Sequence, residues 1–187
     1  MADRISQFPL GDYYTYPTDE SAVLGQIHEE QNTNIGDAGA LGAATTNSGS
    51  MIKCMLVKNN SGGVLVPGYA GKFSVATDGF TGMHEITGVE TAVIGNVAGM
   101  IDPFITGTIP DGALFNVVIS GAVPFICKAA IAKGDTIVPG ASGRWIKTVV
   151  GDFTSVTPTY PFAYGKCLKA TATDEDEGLV LLYPKLI

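Results

Sequence analysis

The chain has 187 residues, 45% of them hydrophobic and only 16% charged, with 24 Gly, 10 Pro and a formal net charge of −7. That length holds one ordinary domain with a real core and no need of metals or disulfide staples. The acidic balance argues against a nucleic-acid partner, because phosphate binding relies on clustered Lys and Arg that displace counterions, and no apolar run approaches the roughly 20 residues of a membrane-crossing helix.

In chain order, residues 1–50 carry seven acids against the single base Arg4, so the acidity is concentrated there. The opening MADRISQFPLGDYYTYP has no continuous apolar core of a signal peptide, and synthesis in a cytoplasm is expected. Tyr13, Tyr14 and Tyr16 bunch together downstream of Phe8, on a segment with no sustained alternation. Residues 20–30, ESAVLGQIHEE, suggest about two weak helical turns interrupted by Gly25. Residues 36–50, GDAGALGAATTNSGS, have little to bury and read as an extended linker.

From Met51 the texture changes to short strand-like runs between turns. Strands are expected at 51–57, 64–66, 72–77, 84–91, 96–101, 114–120, 123–129, 135–138, 144–150, 162–170 and 178–183. The fold class is therefore all-β: a compact sandwich or barrel-like body over 51–187, preceded by an extended N-terminal arm and linker over 1–50. The pattern V-P-G-x-x-G-[K/R]-[F/W] occurs twice, at 66–73 and 138–145. It predicts two related hairpin units, each with Pro fixing φ and glycines taking positive φ.

Motifs for chemistry are absent. Gly134, Gly140 and Gly143 have the wrong spacing for a phosphate-cradling loop, and the run after them reads as strand, not helix. Lys133-Gly134-Asp135 reads as a turn into a strand, and the acidic run DEDE at 174–177 as a solvated hairpin tip without calcium-loop spacing. His28 and His84 accompany no nucleophile or metal motif. Cys54, Cys127 and Cys167 have neither zinc nor CxxC spacing and read as small buried apolar residues. No enzymatic activity, cofactor or metal is expected. Phe8, Tyr13, Tyr14 and Tyr16 are the candidate partner contacts, since aromatics on a polar segment dock either onto this chain's own body or onto a neighbour.

Several stretches together carry a resemblance: MIKCMLVKNNSGGVLVPGYA at 51–70, VAGMIDPFITGTIPDGALFNVVISGAV at 97–123, AIAKGDTIVPGASGRW at 130–145, AYGKCLKAT at 163–171 and GLVLLYP at 178–184. In this order and spacing they resemble the head decoration, or cement, proteins of tailed bacteriophages. The likeness covers roughly 51–187, and the first fifty residues carry no part of it.

The resemblance implies a virion protein without a catalytic site, added to the outer surface of the capsid. There it would bind the major capsid protein and itself, as a homo-oligomer (trimer or dimer), and bridge neighbouring capsomers. No nucleic acid or membrane is expected among its partners. No site residues transfer, because the shared motifs are turns and strands. The alternative reading is a tail- or fibre-associated β-domain that binds a host surface receptor or glycan.

Overall fold

Short runs, the longer of them rich in Val, Ile and Leu, form ten strands among the described residues. These are β1 (Ile27–Gln31), β2 (Met51–Asn59), β3 (Ala70–Phe73), β4 (Glu85–Gly88), β5 (Val97–Ile101), β6 (Leu114–Ile126), β7 (Thr136–Pro139), β8 (Trp145–Thr148), β9 (Gly165–Lys169) and β10 (Glu177–Leu182). The computed structural model describes residues 10–15, 24–31, 51–74, 85–88, 97–148 and 164–183. Within them the helical content is a single 3-10 turn, Ala141–Gly143.

Five strands close into a barrel in the order β2-β4-β3-β5-β6, with β6 returning to β2. The β2–β4 contact is parallel and the other four are antiparallel. Alternation along the strands sends Met55 and Val57 of β2 and Phe115, Val117 and Ile119 of β6 into one cluster with Ile86, Ala98 and Ile101, the barrel interior. Each of the larger side chains, Val, Ile, Met or Phe, withdrawn from water contributes about 1.5–3 kcal/mol. The alternate residues, among them Ile52, Cys54, Met100 and Val118, face outward into a second cluster with Val123, Phe125, Trp145, Cys167 and Val180.

That second cluster exists because β6 belongs to two sheets. Its first half closes the barrel, and residues 121–126 pair with β10 to begin a second sheet that continues through β9, β7 and β8. Gly121 makes the change of sheet, at φ +120, where a Cβ would stand 2.8 Å from the Met51 carbonyl oxygen. Pro124 is tolerated just beyond because, among the described residues, this half of β6 has a strand on one side only.

The all-β, barrel-like body matches the expectation, and the differences lie in how its pieces join. The two strands expected at 114–120 and 123–129 are one bent strand. The run at 64–66 makes a single bridge, Leu65 to Ile109, rather than a strand. Of the helical turns expected over 20–30, residues 20–23 lie outside the described residues, and 24–30 form instead a turn at Leu24 and Gly25, where φ at Gly25 is +79, followed by β1, whose backbone finds its partners on β2.

The repeated V-P-G pattern does not build one unit twice. Pro139 pairs with Trp145 and closes a hairpin, whereas β3, the second half of the first copy, pairs with β4 and β5. Gly68 takes φ +76, but its counterpart Gly140 is at φ −96, and the left-handed positions of the second copy are Ser142 and Gly143. The two copies instead pack on each other: the Trp145 indole donates to the Gly68 carbonyl at 3.0 Å, and Gly143 lies against Tyr69 and Ala70.

Candidate interaction surface

Residues 10–15 and 24–31, both from the acidic N-terminal segment, lie against the barrel. Tyr14 and Leu114 exchange two backbone hydrogen bonds of 2.8 Å, which adds the segment to the side of β6. On the far side of β2, the Gly25 amide donates to the Leu56 carbonyl at 2.8 Å and the Leu56 amide to the Gln26 carbonyl at 3.0 Å. Tyr14 and Leu24 thereby meet over Leu56 and Leu114, closing a small third cluster. Tyr13, next to Tyr14 on extended chain, points the other way and is 40% exposed.

Upstream of these tyrosines, two consecutive amides are held by carboxylates from different elements. The Leu10 amide donates to Glu30 Oε2 of β1 at 3.1 Å, and the Gly11 amide to Asp102 Oδ2, just after β5, at 2.7 Å. The other oxygen of each acid is also engaged: Asp102 Oδ1 accepts from the Phe104 amide at 2.9 Å, and Glu30 Oε1 lies 3.1 Å from His28 Nε2. Leu10 and Phe104 pack against the cluster between the barrel and the second sheet.

Asp102 has no solvent exposure. Burial pushes its carboxyl up to about 7, against the pull of the Gly11 and Phe104 amides, and the charges of Glu30 and Asp12 push the same way. At Glu30 burial also opposes ionisation, but the His28 hydrogen bond and the Leu10 amide outweigh it and hold the carboxyl below its ordinary range. Cys54 lies nearby, and burial, aided by the charges of Glu30 and Asp102, raises its thiol far above the ordinary value. It stays protonated at neutral pH and is no nucleophile. All three cysteines are free and buried.

Of the four candidate contacts read from the sequence, Tyr13 is exposed, Tyr14 docks on this chain's own barrel, and Phe8 and Tyr16 lie outside the described residues. Glu30, His28 and Asp102 were not foreseen. A weak signal existed for Asp102, because Asp-Pro after a strand favours a turn closed by the Asp side chain on the amide two residues on. Nothing in the sequence links it to Gly11, ninety-one residues away.

The remaining surface is apolar in places. Ile27, Met51, Val64, Leu181 and Tyr183 are large apolar residues left in solvent, and Val64 and Val66 rim a groove of about 340 Å³ over Leu65, Tyr69 and Ile101. The turn at Lys133-Gly134-Asp135 is as expected: the Asp135 amide donates to the Ala132 carbonyl at 3.1 Å, and Gly134 has φ +91. The acidic tip is not purely solvated, since Arg144 Nη1 reaches Asp174 at 2.7 Å and Glu175 at 3.4 Å. Among the described residues no group of three His, Cys, Asp or Glu could hold a metal ion.

No protein-family model and no curated protein matches the sequence. Among solved structures the chain is similar to the head fiber gp8.5 N base of bacteriophage phi29, at 16% identity and a TM-score of 0.44, over 73% of this chain and 99% of that one.

Proposed function

We propose that this chain is a structural protein of a tailed-phage head, which lies on the outer surface of the capsid, binds the major capsid protein and cements neighbouring capsomers as a homo-oligomer. One observation carries the reading beyond the sequence resemblance. Among the described residues the buried side chains of Asn59, Asp102 and Thr171 are spent on the backbone of their own chain and buried His28 is held by Glu30, while large apolar side chains remain at the surface. Polar groups tied up in this way leave little free to bind or activate a substrate, and apolar side chains left in water offer area to a partner. Repetition over a closed shell turns modest contacts into firm attachment through avidity.

The test is binding of the purified chain to heads that lack decoration, followed by sedimentation and cryo-EM of the particles. Saturable occupancy at fixed lattice positions, with heads more resistant to heating, is the expected result. Binding to host cells without binding to heads would establish the receptor-binding alternative instead.

A further inference from the structure

Adjacent amides of one segment are gripped by two acids that converge from separate elements, and one of those acids is sealed from solvent. We propose that residues 10–15 form a proton-sensitive latch, closed over Glu30 and Asp102 in mildly acidic solution and loosened as the pH rises to neutrality. The inference goes beyond the virion reading and stands without it.

The direction follows from what the segment covers. Around Asp102 the ionisable groups are Asp12 of the same segment, Glu30 of β1 and the protonated thiol of Cys54 of β2. His28 is committed to Glu30, so no described cation faces Asp102. Ionised Asp102 is therefore itself cut off from water, with two backbone amides to offset that loss, and it also meets the like charges of partly buried Glu30 and exposed Asp12. When the segment lifts, water reaches Asp102 and screens it from Glu30, and Asp12 leaves with the segment. Ionisation is easier in the open state, so closing takes up a proton, and closure weakens until Asp102 is ionised in both states. Glu30 acts in the opposite sense at lower pH, because its bonds to Leu10 and His28 favour the charged form.

Hydrogen exchange of the Gly11 amide, normalised for the intrinsic pH dependence of exchange, reads the latch directly in the full chain. Its protection should fall by up to about tenfold per pH unit from about pH 5 to about pH 7 and level off above. Asp102→Asn should flatten that dependence. Protection that is constant or rises over this interval, or an unchanged fall in Asp102→Asn, overturns the proposal. Should the variant fail to fold, the carboxyl carbon-13 shift of Asp102 in the unaltered protein decides. A midpoint shared with the loss of Gly11 protection supports the latch, and a midpoint within the ordinary carboxylate range overturns it.

Discussion

Asn59 looks in the sequence like one more turn former in KNNSGG, yet it has no solvent exposure and ties its own turn to the chain at Ile109. Its amide donates to the carbonyls of Gly63 at 2.9 Å and Ile109 at 3.0 Å, and its oxygen accepts from the Ser61 amide at 3.0 Å. Asn59→Asp would aim a carboxylate at two carbonyl oxygens, and a loss of about 2–4 kcal/mol is expected from urea unfolding followed by Trp145 fluorescence. Part of the loss should return in acid, where the protonated carboxyl can donate one bond. Trp145 itself is fully buried, donates to Gly68 and meets the Tyr164 ring edge-on at 6.2 Å. Trp145→Phe should cost about 1–2 kcal/mol and Trp145→Ala about 3–5 kcal/mol, read by circular dichroism because the chain has no other tryptophan.

At the scale of elements, the strands were legible because hydrophobic runs of four to nine residues between Gly, Pro and Asn/Asp turns admit few other structures. Gly121 was not legible as a bend: nothing local separates a glycine that ends a strand from one that carries it into another sheet. Its role depends on Met51 and Ile52, seventy residues earlier, which leave no room for a Cβ. Gly121→Ala combines that clash with a left-handed backbone, and a loss of about 2 kcal/mol or more is expected in urea unfolding. A change under about 0.5 kcal/mol, the usual size for an unconstrained surface site, would mean that β6 does not need this bend to join barrel and sheet. β1 was missed for a related reason. The run IHEEQ has one strong apolar residue, and its strand character comes from the free side of β2.

For the whole molecule, Asp102 makes stability depend on pH. Its carboxyl is raised from 3.8 to about 7 in the folded protein, so between those values the folded state holds a proton that the unfolded state has lost. Stability from this group is therefore greatest below the lower value, declines as pH rises towards 7 and is level above, a change of the order of 4 kcal/mol. Glu30, held below its ordinary range, contributes stability that is present above about pH 4.5 and is lost as the pH falls further. Urea unfolding across the range should show greatest stability in mildly acidic solution, and in Asp102→Asn the decline towards neutrality should vanish. A variant that keeps the decline would place its origin elsewhere.

The sequence by itself determined the all-β class, most strand positions, the turn at Lys133-Gly134-Asp135 and the burial of the cysteines, because these depend on local periodicity and turn chemistry. It offered the tyrosine-bearing segment as a candidate surface but could not say which ring faces inward. The tertiary structure decided that Tyr14 docks on Leu56 and Leu114, that two copies of one motif adopt different turns and pack together, and that Leu10 and Gly11 are held by Glu30 and Asp102. Each of these joins residues distant in the chain. Their energies come from excluded water and from partners the fold alone brings within bonding distance, and no local pattern encodes them.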